Sequence, residues 1–420
     1  MYINIIREMY AFYVPNLRFP EFQGEWEESS IGEMFDLYSG NTPSRLNKEH
    51  FRGTINWISS GELKEHYIYS SKEQISEEAA KSLKLLPVGT FVIAIYGLEA
   101  EGVRGTGSII QEPSTISQAC MSFIPKGVIE NEFLYSWYKK HGNVIGIRYA
   151  QGTKQQNLSY DILEKFRIAY PNSKEQEKLN NFISLLDERI ATQNKIIEDL
   201  KKLKCAIIEE VYCSPKQRKP KKRFGEYSSP LSTYKMKDFC VRITDKNKDN
   251  KCSLVLTIAA QDGLVDQETF FNKSVASENL TGYYILHNGD FAYNRSYSSG
   301  YSWGAVKRLD KYEEGVLSTL YICFRVNESI VNSDYLSYYF ESTKWHKGVS
   351  DISGEGARNH GLLNISISDY FNTEHRFPPM DEQKCIASIL NAITVKEQNA
   401  IELGQLYSKQ KQYLLRQMFI

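Results

Sequence analysis

The most regular pattern of apolar and polar positions is a long amphipathic segment that occurs twice. From Glu175 to Tyr212, apolar residues recur at alternating steps of three and four, which is the spacing of a coiled-coil seam. The segment from Glu382 to Phe419 aligns with it without a gap. Each copy predicts one helix of about 55 Å, since an α-helix rises about 1.5 Å per residue. A lone amphipathic helix of this length leaves its apolar stripe uncovered, so we expect the two helices to pack together.

Two lysines occupy equivalent positions within this seam, Lys204 in the first helix and Lys411 in the second. Each lysine either extends its charge to solvent or pairs with a carboxylate of a partner. Glu397 and Gly404 weaken the pattern in the second copy. The predicted seam residues are Ile183, Leu186, Ile190, Ile197, Leu200, Ile207, Leu390, Ile393, Tyr407 and Leu414.

The segments that precede the two helices also repeat, more loosely. LPVGTFVIA at 86–94 is similar to LHNGDFAYN at 286–294, and 114–125 is similar to 315–326. Runs of β-branched and aromatic residues between Gly and Pro predict strands at Thr54–Ser59, Thr90–Tyr96, Ala119–Pro125, Ser253–Ile258, Asp290–Tyr293 and Leu320–Val326. Helical spacing predicts helices at Glu132–His141, Tyr160–Phe166 and Ser333–Ser342.

These patterns predict an α+β protein in which two mixed α/β domains are separated by two long helices that form an antiparallel coiled coil. The predicted boundaries are 1–173 for the first domain, 174–213 for the first helix, 214–230 for a linker, 231–380 for the second domain and 381–420 for the second helix. The linker contains KQRKPKKR, in which six of eight residues are basic. It is either a solvated connection or a binding site for phosphates.

Composition narrows the class of protein. The 51 basic residues balance the 51 acidic ones, which counts against a protein that binds nucleic acid alone by coating its phosphates. Phosphate contacts that are local, or that a partner supplies, remain open. No apolar run approaches the roughly 20 residues of a membrane-spanning helix, so we expect a soluble, cytoplasmic protein. The seven cysteines include no CxxC pair and indicate neither a disulfide framework nor a zinc site.

The sequence contains no recognisable catalytic motif. The phosphate-binding pattern GxxxxGK[ST] and the dinucleotide pattern GxGxxG are both absent. The nearest match to an amino-methyltransferase motif, at 377–380, lacks the polar residue that holds the target amine. The histidines do not cluster with cysteines or carboxylates at metal-ligand spacing. We therefore expect a binding protein with neither a catalytic residue nor a metal site.

An ordered set of segments resembles one known family. WEESSIGEMFDLYSGNTPSR, INWISSGELKE, LPVGTFVIAIYGLEAEGVRGTGS and QGTKQQNLSYDIL look like a target recognition domain of the specificity subunits of type I restriction-modification enzymes. NGDFAYNRSYSSGYSWGAVKRL and GEGARNHGLLNISISDYF resemble a second such domain. The two helices that begin with Glu-Gln resemble the spacer helices of that family. The resemblance extends from about Leu17 onward.

The resemblance implies a non-catalytic, sequence-specific DNA-binding subunit. Each recognition domain would read one half of a split DNA target, and the helices would set the gap and dock two modification (methyltransferase) subunits. S-adenosylmethionine would bind in the modification subunits, and ATP and magnesium in restriction subunits of the full complex. The chain itself would hold no cofactor.

Loops rich in Gly, Ser, Asn, Gln and Arg, repeated in both domains, are the expected DNA contacts. Amide and guanidinium groups reach base edges, whereas positive charge and backbone N–H groups hold phosphates. In the first domain the candidates are Thr42, Ser44, Arg45, Arg104, Thr106, Lys154, Gln155 and Gln156. In the second domain they are Asn294, Arg295, Ser296, Tyr297, Tyr301, Arg358, Asn359 and His360.

Three other functions remain open at the level of the sequence. The chain could serve a related multisubunit enzyme, of the type IIB kind, that cuts on both sides of its site. It could be a coiled-coil adaptor that does not read DNA. A nuclease or methyltransferase without recognisable motifs would show activity in the absence of partners.

Overall fold

The computed structural model describes residues 13–99, 102–152, 156–225, 227–273, 279–296, 300–353 and 363–420. Its α-helices are Ile31–Met34 (α1), Glu77–Ala80 (α2), Asn131–Tyr149 (α3), Tyr160–Leu163 (α4), Ser173–Val211 (α5), Met236–Phe239 (α6), Gln267–Phe271 (α7), Ser333–Glu341 (α8), His346–Ile352 (α9), Ile367–Phe371 (α10) and Met380–Met418 (α11). Short 3₁₀ helices span Lys48–Phe51 and Ser60–Glu62.

The strands are short and lie mainly before the two long helices. They are Glu27–Ser30 (β1), Phe35–Ser39 (β2), Ile55–Ile58 (β3), Tyr67–Ile68 (β4), Glu73–Ile75 (β5), Phe91–Ala94 (β6), Gly107–Ile110 (β7), Ser114–Ile116 (β8), Cys120–Pro125 (β9), Arg167–Tyr170 (β10), Ser232–Lys235 (β11), Cys240–Arg242 (β12), Leu256–Ala259 (β13), Gly263–Asp266 (β14), Tyr284–His287 (β15), Phe291–Asn294 (β16), Ala305–Arg308 (β17), Glu314–Leu317 (β18), Ile322–Val326 (β19) and Glu374–Phe377 (β20).

The chain divides into two compact units. Unit 1 comprises the described residues up to Asn194 together with Glu402–Ile420, and unit 2 comprises those of Lys195–Ile401. The mixed α/β character predicted from the sequence is confirmed, and both predicted long helices are present. Three predicted ends were wrong by three residues or more. Helix α3 continues to Tyr149 rather than ending at His141, helix α4 ends at Leu163 rather than at Phe166, and the strand expected from Ser253 begins at Leu256.

Unit 1 is built on a five-stranded sheet in the order β2-β9-β6-β7-β4. All four residues of its central strand β6 are buried, because both faces of the sheet are covered. Phe91 and Ile93 face the core that contains α3, whereas Val92 and Ala94 face a second apolar cluster on the opposite side. This alternation is the period-two pattern of a strand, and it explains why the segment reads as a continuous apolar run.

Unit 2 repeats this arrangement with a four-stranded sheet in the order β12-β19-β16-β17. On the central strand β16, Phe291 and Tyr293 face the core that contains α8, and Ala292 faces the opposite cluster. Phe291 stacks on Phe324 of β19 with ring centroids 5.4 Å apart. The sequence repeat therefore corresponds to a repeat of the sheet core.

In each sheet, strand register brings the candidate loops to one end. In unit 1, Ala94 at the end of β6 pairs with Cys120 at the start of β9, and Ser39 at the end of β2 pairs with Met121. Segments 40–46 and 117–119 and the described residues of 95–106 therefore emerge at the same end, which we call the loop end of unit 1. The loop end of unit 2 consists of the described residues of 243–255, 295–304 and 318–321, since Asn294 pairs with Ala305 and Tyr293 with Ile322.

Each unit contains a stretch of both long helices. In unit 1, Leu179 and Ile183 of α5 share a core with Leu415 and Met418 of α11, and Asp187 forms an ion pair with Lys411. Early residues of α5 thus meet late residues of α11, so the two stretches run antiparallel within this unit.

In unit 2, Ile208 and Val211 of α5 share a core with Ile386 and Leu390 of α11. The two stretches run antiparallel here as well, because late residues of α5 meet early residues of α11. The repeated helices therefore bury equivalent apolar faces in the two units.

Candidate nucleic-acid interface

The loop end of unit 1 is held together by backbone hydrogen bonds between two segments distant in sequence. Leu98 N–H donates to the carbonyl of Gln156 at 3.0 Å, and Leu158 N–H donates to Ile95 at 2.9 Å. Gln156 N–H donates in turn to the Glu99 carboxylate at 2.8 Å. The candidate segments around Arg104 and Gln156 therefore form one surface.

Arg104 is the candidate whose side chain is best placed to meet a ligand. It is half-buried and packs on α3, where a Cβ added at Gly146 would lie 3.2 Å from Arg104 Cγ. Gly142 allows a similar approach, because its added Cβ would lie 2.8 Å from Gly105 Cα. Within the described part of the chain, Arg104 Nε is buried without a hydrogen-bond partner. An unpaired buried donor is costly, so a rearrangement that brings it to a phosphate oxygen or a base edge would be favourable.

Arg45, by contrast, is already paired within the chain. Its guanidinium donates two hydrogen bonds to the Glu73 carboxylate, at 2.8 and 2.9 Å, and lies 4.6 Å from the ring centroid of Phe51. This ion pair raises the pKa of Arg45 and lowers that of Glu73. A phosphate contact at Arg45 would have to compete with a carboxylate of the same chain.

Three other candidates of unit 1 shape the backbone of their own loops. Thr106 Oγ1 donates to the Val103 carbonyl at 2.7 Å, and Thr42 N–H donates to Asn41 Oδ1 at 2.8 Å. The Ser44 side chain is exposed, while its carbonyl accepts from Asn47 N–H. Such bonds fix turns whether or not a ligand is bound.

In unit 2 the described candidates are largely engaged by the protein. Arg295 donates from Nη1 to the Ile365 carbonyl and from Nη2 to the Leu320 carbonyl, both at 3.1 Å. Tyr301 Oη donates to the Ala260 carbonyl at 3.0 Å.

Asn294 and Ser296 lie at the start of the same loop. Asn294 Oδ1 accepts from Ser296 N–H at 2.9 Å, which fixes the turn, and Ser296 is exposed. The remaining candidates, Lys154, Gln155, Tyr297, Arg358, Asn359 and His360, lie outside the described residues.

The same kind of turn, not predicted from the sequence, occurs at the loop end of each unit. Gln118 precedes β9 and Thr319 precedes β19, and both side chains are exposed. The serines before them build the same turn, since Ser117 Oγ accepts from Ala119 N–H and Ser318 Oγ from the N–H two residues on. The alignment of 114–125 with 315–326 contains this turn in addition to the repeat that it indicates.

Basic residues of the linker form ion pairs with the long helices, which the composition of the linker did not indicate. Arg223 forms a two-bond ion pair with Glu382, and Lys222 pairs with Glu210 at 2.8 Å. Arg18 makes the equivalent two-bond pair with Glu175 in unit 1, at 2.7 and 2.8 Å. The carboxylate at the start of each long helix thus holds an arginine that precedes its domain.

A glutamine follows each of these glutamates and fastens the helix to the domain. Gln176 Oε1 accepts from Glu130 N–H at 3.0 Å, and its Nε2 donates to the carbonyls of Val128 and Pro171 at 3.2 and 2.8 Å. Gln176 is buried. The residue whose N–H it accepts, Glu130, is the N-cap of α3, where no side-chain cap is present, so Gln176 supplies the missing acceptor.

Gln383 makes the same three bonds in unit 2. It accepts from Asn332 N–H at 2.8 Å and donates to the carbonyls of Ile330 and Pro378 at 3.3 and 2.9 Å. The Glu-Gln pair that begins each predicted helix was visible in the sequence, but its side-chain partners were not.

The seam residues differ in burial. Ile183 and Leu390 are fully buried. The half-buried ones are Leu186, Ile190, Ile197, Leu200, Ile207, Ile393, Tyr407 and Leu414. Lys204 pairs with Glu397 at 2.9 Å, and Lys411 pairs with Asp187. Both seam lysines therefore have carboxylate partners in their own chain, and Glu397 compensates the half-buried charge of Lys204.

Across the described ranges, no group of three or more His, Cys, Asp or Glu residues is arranged to hold a metal ion. No helix in the part of the chain that the structure covers is long and apolar enough to cross a membrane.

Comparison with known proteins finds a family that is similar to the first half of the chain. Residues 23–202 match the family described as the type I restriction modification DNA specificity domain. This segment is therefore similar to such a domain, and the resemblance seen in the sequence is confirmed.

Curated relatives agree with this assignment. The chain is 30% identical over 185 residues to the specificity subunit of the type I restriction enzyme MjaIX of Methanocaldococcus jannaschii, covering 43% of this chain and 42% of that protein. It is 31% identical over 205 residues to the EcoR124I/EcoR124II specificity subunit of Escherichia coli, covering 47% and 49%. The matched region thus spans about half the length of the curated relatives.

A solved structure with a similar fold covers nearly the whole chain. The crystal structure of a type I restriction-modification S subunit from M. genitalium superposes with a TM-score of 0.56 at 13% identity, covering 97% of this chain and 99% of that one. At this identity the likeness concerns the fold alone.

Proposed function

We propose that this chain is the DNA specificity subunit of a type I restriction-modification complex. The observation that carries the proposal is the specificity domain at 23–202, together with a second unit that repeats its sheet and its loop end. Each unit would read one half of a split DNA target. The sheet supplies a rigid base, and the loops at one end supply side chains that vary without disturbing the core.

The two long helices would set the distance between the half-sites. Their antiparallel packing within each unit, and the ion pairs of Lys204 and Lys411, support an antiparallel coiled coil over the full length of α5 and α11. Two modification subunits would dock on this coil, one for each repeat. The recognition domains would span 1–173 and 231–380.

The chemistry would reside in the partners. S-adenosylmethionine would bind in the modification subunits, and ATP and magnesium in the restriction subunits, so the present chain would be non-catalytic. Its contribution would be binding free energy that depends on base sequence. In unit 1, Arg104 is the side chain we assign first to DNA, because its buried Nε lacks a partner in the described part of the chain.

A base-resolution map of adenine methylation tests the proposal. The cognate modification subunit is expressed in a host with and without this chain. We expect a motif of two short blocks around a fixed gap that is present only with the chain. If soluble, associated proteins produce no motif, the chain is an adaptor without DNA readout and the proposal fails.

A further inference from the structure

A histidine joins the sheet of unit 1 to both long helices. His66 directly precedes β4, and its carbonyl accepts from Ile109 N–H of β7 at 2.8 Å, so its backbone is fixed on the sheet. Its Nε2 lies 2.8 Å from Glu132 in α3, and its Nδ1 lies 3.1 Å from Asp187 in α5. Asp187 also pairs with Lys411 of α11.

The geometry favours a His66 ring that carries both protons. Ionised carboxylates only accept hydrogen bonds, so each ring nitrogen that faces one must be a donor, and only the imidazolium has two donors. The ring is also stacked between Tyr67 and Tyr135, with both centroid distances 4.0 Å and interplanar angles of 9° and 4°. A cation between two aromatic faces is stabilised by their electron density.

Electrostatics agree with this geometry. Burial opposes the charged ring, since only 9% of the side chain is exposed, but the hydrogen bonds to Asp187 and Glu132 outweigh it and raise the pKa of His66. Burial likewise opposes ionisation of Asp187, yet the bond from His66 and the charge of Lys411 lower its pKa. Histidine pairing thus depends on pH near neutrality.

Unit 2 makes a comparable connection with a permanent charge. Arg308 of β17 pairs with Asp334 in the first turn of α8 at 2.8 Å, and Asn391 of α11 donates to the same carboxylate at 2.8 Å. An arginine keeps its proton at all physiological pH values, whereas a histidine does not. The two units therefore differ in how pH affects the attachment of their helices.

We propose that His66 is a positioning residue whose imidazolium fixes α5 and α11 against the sheet of unit 1, so that reading of one half-site weakens when His66 loses its proton. The second clause rests on the proposed function; the first does not. The charged or titratable groups that face His66 or line the adjoining cavity of about 630 Å³ are Lys64, Glu65, Tyr67, Tyr69, Glu132, Tyr135, Lys139, Asp187, Glu188 and Lys411.

The direction of the pH effect follows from the raised pKa. A group whose pKa is higher in the folded protein contributes its full stabilisation below its ordinary value, which is about 6.5 for histidine. That contribution is lost as pH rises through the raised pKa, and each further pH unit lowers the imidazolium fraction about tenfold. Lys139 also titrates in this region, because burial and the charge of Lys411 lower its pKa to about 8.

The first test measures the attachment without DNA. In the full chain with isotope-labelled histidines, NMR should show His66 titrating above about 6.5. The His66→Gln variant assigns the signal. Hydrogen exchange of segment 179–190, corrected for its intrinsic pH dependence, should be slow at low pH and accelerate as His66 titrates. In His66→Gln, exchange should be fast at every pH.

Two variants separate His66 from its neighbours. His66→Arg keeps a planar cation that can stack and donate two bonds, so segment 179–190 should stay protected as pH rises. Any pH dependence that remains in this variant belongs to Lys139. His141→Gln is the matched control, because burial lowers the pKa of His141 to about 4 and it is already neutral throughout this range. Its exchange profile should follow the wild-type protein.

The second test uses DNA that carries both half-sites, bound by the complex with the modification subunit. Selectivity at one half-site should decline with rising pH in the wild-type chain and not in His66→Arg. The positioning role is overturned if His66 titrates at or below about 6.5. It is also overturned if hydrogen exchange of segment 179–190 changes neither with pH nor in His66→Gln. Failure of the wild-type complex to bind DNA at any pH overturns the proposed function, while the exchange result still decides the role of His66.

Discussion

At the scale of single residues, the structure separates arginines that the sequence treats alike. Arg45, Arg104 and Arg295 all lie in polar loops and were all expected to contact DNA. Arg45 is neutralised by Glu73, and Arg295 bonds to two backbone carbonyls. Arg104 packs on α3, and its Nε, like that of Arg295, is buried without a hydrogen-bond partner among the described residues, so the two arginines differ in their Nη groups. Only tertiary contacts distinguish a cation that supports the fold from one that is available to DNA.

Replacing Arg104 should therefore affect DNA binding more than folding. Arg104→Ala is expected to weaken binding of the assembled complex to its target about tenfold, the effect of losing one good base or phosphate contact. Fluorescence anisotropy with labelled duplex measures it, and circular dichroism monitors the fold.

Arg45→Ala is the matched control for Arg104→Ala. Its charge is already balanced by Glu73, so we expect a loss of less than about threefold, as for an exposed ion pair. Equal losses in the two variants would contradict the assignment of Arg104 as the available cation.

At the scale of elements, each long helix is oriented by a Glu-Gln pair in its first turn. The Glu-Gln pair at 175–176 and the pair at 382–383 bind the arginine, the N–H group and the carbonyls described above in both units. These bonds are made by buried groups, and a buried polar group without a partner is costly. The pair thus fixes the direction in which each helix leaves its domain.

Removing the glutamine should destabilise the unit to which it belongs. Gln176→Ala and Gln383→Ala each leave one N–H group and two carbonyls without a side-chain partner, which we expect to cost roughly 2–4 kcal/mol. Differential scanning calorimetry measures the loss as a lower Tm. Gln405→Ala, at an exposed position of α11, is the control and should change stability by less than about 0.5 kcal/mol. Similar Tm values for all three variants would show that the glutamines do not orient the helices.

At the scale of the whole molecule, the repeat makes the two units independent readers in the proposed function. Each has its own sheet, its own loop end and its own core. Specificity located in separate units on rigid sheets can change in one unit without altering the other.

Domain exchange tests this independence. Replacing 17–171 with the corresponding segment of another specificity subunit should change one half of the methylated motif and leave the other half and the gap unchanged. Methylation mapping of the chimera gives the answer. The converse chimera, with 231–378 exchanged, should change the other half alone. A motif altered in both halves, or in neither, would exclude two separate readers.

The sequence by itself determined the repeat, the two long helices, the mixed α/β character and the resemblance to specificity subunits. These features follow from periodic or local patterns, since the 3.6-residue and two-residue periods of apolar side chains are set by nearby positions. The ends of strand β6 and of helix α5 could therefore be predicted to within a few residues of their positions in the structure.

Only the tertiary structure decided which polar groups are free and which are engaged. His66 meets Glu132 and Asp187, which lie 66 and 121 residues further along the chain, and no local pattern encodes such a meeting. The same is true of Glu73 beside Arg45 and of Leu320 beside Arg295. Burial and pairing depend on how distant segments pack, and these two properties determine which side chains hold the fold together and which remain available to DNA.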